Sequence, residues 1–227
     1  MVFTSCTASK DDSAQIAAKD IAIGPNRYLT DRNLRDLLLT TREQVLSDPR
    51  AKRGNHLTYA FDLYVKAERS QMYSDLRARS QLCENVKQAL RKGEIQWFFL
   101  SGGYGMLHAL EPATKYQATF SYGIARQNGI PYTARVWRRC LVDVCEHVMN
   151  RYSAWPVYAF GSRDYTDVLQ RTRRWRAGEG IKIIESTGTG GGWRLSPIVA
   201  EFVRSLMSCQ LSDFDRRHPG ALVKLPR

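Results

Sequence analysis

Residues 96 to 105 read Gln96-Trp97-Phe98-Phe99-Leu100-Ser101-Gly102-Gly103-Tyr104-Gly105. A run in which neither alternating set of side chains is polar suits a strand covered on both faces, as at the centre of a parallel sheet. Three further short β-rich runs, residues 2 to 5, 157 to 160 and 181 to 184, each lead into residues suited to a tight turn or a helix start. Helical patterns fill the spaces at 57 to 79, 81 to 91, 132 to 151, 165 to 176 and 197 to 207. Strands separated by helices predict an α/β fold: one domain, 1 to 227, with a mostly parallel central sheet and helices on both faces. Residues 11 to 55 carry weak strand signals and one helical part, 32 to 46, and read as an insertion or edge cover. Residues 211 to 227 lack periodicity and read as a surface tail.

The chain has 227 residues, with 34 Lys and Arg against 22 Asp and Glu, a formal charge of +12. Such a surplus points to a polyanionic partner, because each neutralised phosphate releases condensed counterions. Five scattered cysteines without a CxxC pair suggest neither a disulfide framework nor a zinc knuckle, and fit a reducing, cytoplasmic setting. No apolar run is long enough to cross a bilayer, so no membrane partner is expected. The four histidines have no metal-ligand spacing, and no Ser-His-Asp order is evident. The segment Gly188-Thr189-Gly190-Gly191-Gly192 before Ser196-Pro197 lacks the P-loop and dinucleotide fingerprints, so no metal and no cofactor are expected. Ser196 and Pro197 themselves have the signature of an N-cap and a first helical position.

In open α/β sheets ligands settle beyond the carboxyl ends of the strands, so the four turns after the strands are where a site is sought. The first, Cys6-Thr7-Ala8-Ser9-Lys10, can hold an anion with backbone amides, Ser9 and the Lys10 ammonium, or can be a plain surface turn. The second, Ser101 to Leu107, offers Tyr104 as a stacking ring or hydroxyl donor, with glycines that let a ligand approach the main chain. Glu111, Lys115 and Tyr116 follow, supplying a carboxylate, a cation and a second ring; a loop glutamate is also commonly just solvated. The third, Gly161-Ser162-Arg163-Asp164-Tyr165, places a carboxylate at a helix start, where Asp164 and Ser162 serve equally as dipole partner and cap. Its helix ends in Arg171-Thr172-Arg173-Arg174-Trp175-Arg176, suited to phosphates and stacked bases or to a solvated face. The fourth reaches Glu185, with Arg194 beyond it.

Taken together, SCTASK, AFDLYVKAERSQMYSDL, WFFLSGGYGMLHALEPATKY and VYAFGSRDYTDVL, in that order, resemble the YaaA-like superfamily, with its phage-defence relatives that act as DNA glycosylases on modified bases. The central piece is the specific one. The resemblance implies an α/β fold with a basic cleft, DNA binding and, in some members, N-glycosidic cleavage. By motif it carries over Cys6, Ser9, Lys10, Tyr64, Ser101, Gly103, Tyr104, Gly105, Tyr116, Gly161 and Tyr165. Gly102-Gly103 stands where Ala-Lys is usual, and the Arg163-Asp164 pair is a second departure.

The reaction this implies, release of a flipped-out base from DNA, needs a carboxylate near the anomeric carbon and donors toward the leaving base. Asp164 is expected to supply it ahead of Glu185 and Glu111, with Tyr104 and Tyr116 stacking or donating protons. The rival readings are a non-enzymatic DNA-binding stress-response protein and a nucleoside or nucleotide glycosyl hydrolase. Two spatial expectations follow. The turns at Lys10, Tyr104, Asp164 and Glu185 should share one crevice, and residues 171 to 176 should lie on one positive surface with the Lys10 turn.

Overall fold

The computed structural model describes residues 1–14, 16, 23–138, 140–186 and 192–225. Among them, strands β1 (Val2–Ser5), β3 (Trp97–Ser101), β4 (Gly105–His108), β6 (Val157–Ser162), β7 (Ile181–Ser186) and β8 (Leu222–Leu225) form a six-stranded sheet in the order β4-β3-β1-β6-β7-β8. All neighbours are parallel except β4, which turns back antiparallel on β3. A separate antiparallel pair joins β2 (Leu57–Tyr59) to β5 (Pro112–Thr114).

The helices are α1 (Pro25–Tyr28), α2 (Arg32–Leu46), α3 (Ala60–Val65), α4 (Ser74–Arg77), α5 (Ser80–Lys92), α6 (Tyr122–Asn128), α7 (Ala134–Trp137) and α8 (Leu141–Arg151). After β6 follow α9 (Arg163–Gln170), α10 (Arg173–Arg176), α11 (Gly192–Met207) and α12 (Leu211–Arg217).

The chain is thus a single-domain α/β fold, and β3 shows why its sequence had to be apolar throughout. Trp97 and Phe99 point to one face, where they meet Phe61, Tyr64 and Tyr73. Phe98 points to the other, where it meets Phe3, Tyr28 and His108. Both faces are therefore dry, and a polar side chain at any of these positions would lack a partner.

Five readings of the sequence require correction. Residues 57 to 79 are not one helix: Leu57–Tyr59 is a strand, α3 is short, and the chain turns before α4, because pairing with β5 and packing under β3 override a continuous helical pattern. The helices read at 132 to 151 and at 165 to 176 are likewise divided, the first into α7 and α8, the second into α9 and α10, which Thr172 separates by capping the latter. Ser196-Pro197 does not start a helix. α11 begins at Gly192 with Pro197 inside it, and the Ser196 hydroxyl lies 2.9 Å from that of Ser74 and accepts the Asp75 N–H.

The last correction concerns residues 211 to 227, which are no surface tail as far as they are described. Leu211–Arg217 is helical, and Phe214 is fully buried among Tyr158, Phe160 and Phe202. β8 then pairs with β7 as the edge of the sheet. Burial of that ring predicts that Phe214→Ala lowers unfolding stability by about 3–5 kcal/mol, as for other buried aromatics cut to alanine. Denaturant unfolding checks it; a loss under about 1 kcal/mol would return this segment to the status of a dispensable tail.

Candidate functional site

The carboxyl ends of β1, β3 and β6 lie side by side, and their turns bring together side chains far apart in sequence. The Ser101 hydroxyl, at the end of β3, lies 2.5 Å from the Tyr116 hydroxyl and 3.3 Å from that of Tyr64, and accepts the Tyr104 backbone N–H at 3.0 Å. The Tyr64 and Tyr116 hydroxyls are 3.0 Å apart. Beside them the Cys6 thiol donates to the Tyr165 hydroxyl at 3.5 Å, which also meets the Thr119 hydroxyl at 3.2 Å. The Lys10 ammonium sits 4.1 Å from the centre of the Tyr116 ring and donates to the Thr7 carbonyl at 3.0 Å. Cys6, Lys10, Tyr64, Ser101, Tyr116 and Tyr165 therefore form one buried polar cluster.

Burial decides the charge state of this cluster. It pushes the phenols of Tyr64, Tyr116 and Tyr165 well above the ordinary tyrosine range, so they act as hydroxyl donors and acceptors and not as phenolates. The Lys10 amine is pushed down to about 8, first by burial; nearby Cys6 opposes the shift and Lys115 adds to it. Lys10 has no carboxylate partner among the described residues, and its lowered pKa makes it easier to deprotonate than a solvated lysine.

The glycines of the second turn have a different explanation from the one read in the sequence. A Cβ on Gly102 would lie 2.4 Å from the Ala118 carbonyl oxygen, one on Gly103 would lie 2.4 Å from the Tyr116 ring, and one on Gly105 would lie 2.5 Å from Trp137. Gly105 also has φ of +69°, which side chains resist. The chain's own residues 116 to 119 and Trp137 occupy the space next to these glycines. The Trp137 indole N–H and the Thr133 hydroxyl both donate to the Gly102 carbonyl, holding that arrangement. Tyr104 is likewise tied inward, its hydroxyl accepting the Thr114 N–H at 2.8 Å. Gly161 is constrained similarly, since a Cβ there would lie 3.0 Å from the Ser5 hydroxyl.

The three candidate carboxylates separate clearly. Glu111 is buried in an ion pair with Arg42 at 2.5 Å and accepts the Tyr28 hydroxyl at 2.8 Å, which gives it a structural job. Arg42 also donates to the Tyr104 and Met106 carbonyls, so this pair bolts α2 onto the β3–β4 hairpin. Glu185 is buried beneath α9, accepting the Thr166 hydroxyl at 2.9 Å and the Gln170 amide at 3.1 Å. Asp164 is exposed in the first turn of α9, next in sequence to Tyr165, and makes no ion pair or hydrogen bond among the described residues. Hence Lys10 and the buried Tyr104 do share the sheet edge, with Asp164 at its rim, while Glu185 is enclosed under the helix.

The arginine-rich segment is not on that edge. Arg174 donates to the carbonyl of Met149 near the end of α8 and to those of Ser153, Trp155 and Glu179 just before β6 or β7 begins, so α9 has carried the chain to the amino edge of the sheet. Arg173, exposed and 3.9 Å from Glu146, lies with it. The expectation of one positive surface joining these arginines to the Lys10 turn is therefore overturned by the crossover itself. Ser162 precedes α9 but makes no side-chain cap bond, Arg163 is exposed, and Ser9 is half-buried. Lys115 is exposed, 3.9 Å from Asp12. The loop 188 to 191 lies outside the described residues; Arg194 follows it in the first turn of α11. Among the described residues no group of His, Cys, Asp and Glu could hold a metal, and no helix is long and apolar enough to cross a membrane.

Sequence reasoning missed Thr119, Thr114, Thr133 and Arg42. Each acts through a partner at least ten positions away, a relation that local pattern does not carry. No protein-family model matches the chain, and no curated protein is significantly similar to it.

Lys10 gives a prediction with a definite sign. Its folded amine titrates at about 8 and the unfolded one at 10.5. Between those values the unfolded chain binds the extra proton, so folding stability rises as pH increases from 8 towards 10. Lys10→Met should abolish that rise and be the more stable protein at pH 7. Denaturant midpoints measured across pH 7 to 10 check this, and equal slopes for parent and variant would mean that Lys10 is solvated.

Proposed function

We propose that this chain acts on DNA as an N-glycosylase, releasing a base, one carrying a modification, from its sugar at the carboxyl edge of the sheet. The observation that supports this reading is the separation of the carboxylates: Glu111 is committed to Arg42 and Glu185 to α9, which leaves Asp164 at the rim beside the tyrosine cluster. The YaaA-like resemblance points the same way, as does the charge of +12.

Base release builds positive charge on the sugar and negative charge on the base. Asp164 would face the developing oxocarbenium ion, and the positive end of the α9 dipole favours a carboxylate there. The neutral phenols, held as hydroxyls by burial, would be donors for the leaving base once it displaces a partner from their network. The nucleotide must be flipped out of the stack at a cost of a few kcal/mol, offset by contacts in the pocket. Phosphates beside it would meet Lys10, Lys115 and Arg163. Defence against phage with modified DNA is the biological setting that the resemblance suggests.

A second reading, DNA binding without catalysis, is favoured by one observation. The Ser101, Tyr64 and Tyr116 hydroxyls satisfy one another in a closed network, as a purely structural cluster would.

Asp164→Asn separates the readings, because it keeps shape and hydrogen bonding but removes the charge. The expected outcome is unchanged melting, near-parental DNA affinity and a loss of base release of at least about a hundredfold, measured by mass spectrometry on DNAs with natural and modified bases. A parent that binds DNA but yields no free base from any of them establishes the second reading. A variant that stays within a few fold of the parent removes Asp164 from catalysis.

A further inference from the structure

A cleft of about 330 Å³ opens beside this edge, between the turn at residues 68 to 71 and Trp193 in the first turn of α11. Its wall is tied to the site already described. The Ser5 hydroxyl at the end of β1 donates to the Met72 sulfur at 3.4 Å, and Gly192 packs so closely that a Cβ would lie 3.3 Å from the Met72 backbone nitrogen.

Three features of the cleft lack an internal explanation. Trp193 is 58% exposed, although an indole in water is unfavourable and the chain's other tryptophans are buried or half-buried. The Ser70 hydroxyl is buried, at 2% exposure, and has no hydrogen-bond partner among the described residues. Buried hydroxyls are nearly always paired, so this one has unused bonding capacity to offer a polar group in the cleft. Arg69 is exposed and makes no ion pair among the described residues.

The rest of the wall is rigid. Arg77 donates to the Ala67, Glu68 and Ser70 carbonyls and so fixes the turn that presents Ser70 and Arg69. Arg194 lies 5.0 Å from the Trp193 ring, a cation beside an aromatic face. The first turn of α11 carries no acidic residue, so nothing there offsets the positive end of its dipole. Glu68 contributes an acceptor at the rim.

An aromatic face, an unsatisfied hydroxyl, guanidinium groups and a helix amino end together match the parts of a nucleotide: base, polar edge and phosphate. We propose that this cleft is a nucleotide subsite in which one base of single-stranded DNA stacks on Trp193, its phosphate meeting Arg69 and Arg194, while Ser70 bonds a polar atom of the base or sugar. The proposal rests on the reading of DNA as substrate and specifies how the strand flanking the target nucleotide is held.

Fluorescence anisotropy of the full chain with a labelled single-stranded oligonucleotide of about 12 nucleotides tests it. Trp193→Ala should weaken binding about tenfold, and Trp193→Phe far less, because a smaller ring still stacks. The oligonucleotide should quench the parent's tryptophan emission, and the quench should shrink in Trp193→Phe. Ser70→Ala should weaken binding several-fold while melting at the same or a higher temperature, since it removes an unpaired buried hydroxyl. Arg69→Glu should flatten the salt dependence.

Affinity for Trp193→Ala and Ser70→Ala within twofold of the parent overturns the subsite. Base release by the same preparations keeps the two claims apart. A parent that binds through Trp193 but frees no base leaves the subsite standing and removes the catalytic reading. A parent that frees base with Trp193→Ala binding unaltered does the reverse. A parent with no affinity for the oligonucleotide removes the subsite outright.

Discussion

The contact on which the carboxyl edge depends is the seating of the Tyr116 ring against Gly103. A Cβ at Gly103 would lie 2.4 Å from that ring, so the fit exists only because this position has no side chain. With the ring in place its hydroxyl closes on Ser101 and Tyr64, and its face receives the Lys10 ammonium. Remove the fit and three segments lose their common reference point. β3 would end without its hydroxyl cluster, the first turn would lose the surface on which Lys10 rests, and residues 117 to 120 would lose the neighbour that brings Thr119 to Tyr165.

Around that contact the protein separates two kinds of charge. Buried ions are paired and brace the scaffold: Arg42 with Glu111 across the β3–β4 hairpin, Lys87 with Asp62 between α5 and α3. Deleting one partner of such a pair leaves a lone buried ion, which is why their kind is rarely free to do chemistry. Among the described residues Lys10 is the exception among buried lysines, since its partners are backbone carbonyls and an aromatic face. The surplus of basic residues falls largely on the surface, where it shapes long-range attraction without fixing any single contact.

Four strands of the central sheet, β1, β3, β6 and β7, could be read directly, because short β-rich runs bounded by turn residues leave few alternatives, whereas β8 lay in a segment without periodicity. β1 begins and ends where its run does, and α2 coincides with the helical pattern at 32 to 46. What escaped were elements defined by partners. Gly105-Met106-Leu107 reads as part of a turn until β3 offers it an antiparallel ladder. The three-residue strands β2 and β5 are too short for any period to show. The candidate site was legible to the same degree. Residues carried over by motif, Cys6, Lys10, Tyr64, Ser101, Tyr116 and Tyr165, meet in space, whereas roles assigned from local composition shifted. Glu111, on a polar loop, became half of a buried ion pair, and Arg174, in a basic run, became a clamp on four carbonyls. Nothing in a single sequence distinguishes an arginine that binds phosphate from one that binds main chain.

The position of β1 also governs how the molecule must assemble. Val2 pairs with Trp97 on one side and Tyr158 on the other, so β1 is central and finds both neighbours only after long stretches of chain have followed it. Closing such loops loses chain entropy before any pairing compensates it, which places this fold among slow-folding topologies. During synthesis β1 waits as an apolar segment with two open edges, and β3, once made, waits beside it with its tryptophan and phenylalanines exposed. A nascent chain in this condition depends on chaperones or on rapid docking of α2 and α3 to avoid pairing with copies of itself. Recombinant yield should therefore respond more to expression temperature than to any property of the finished surface.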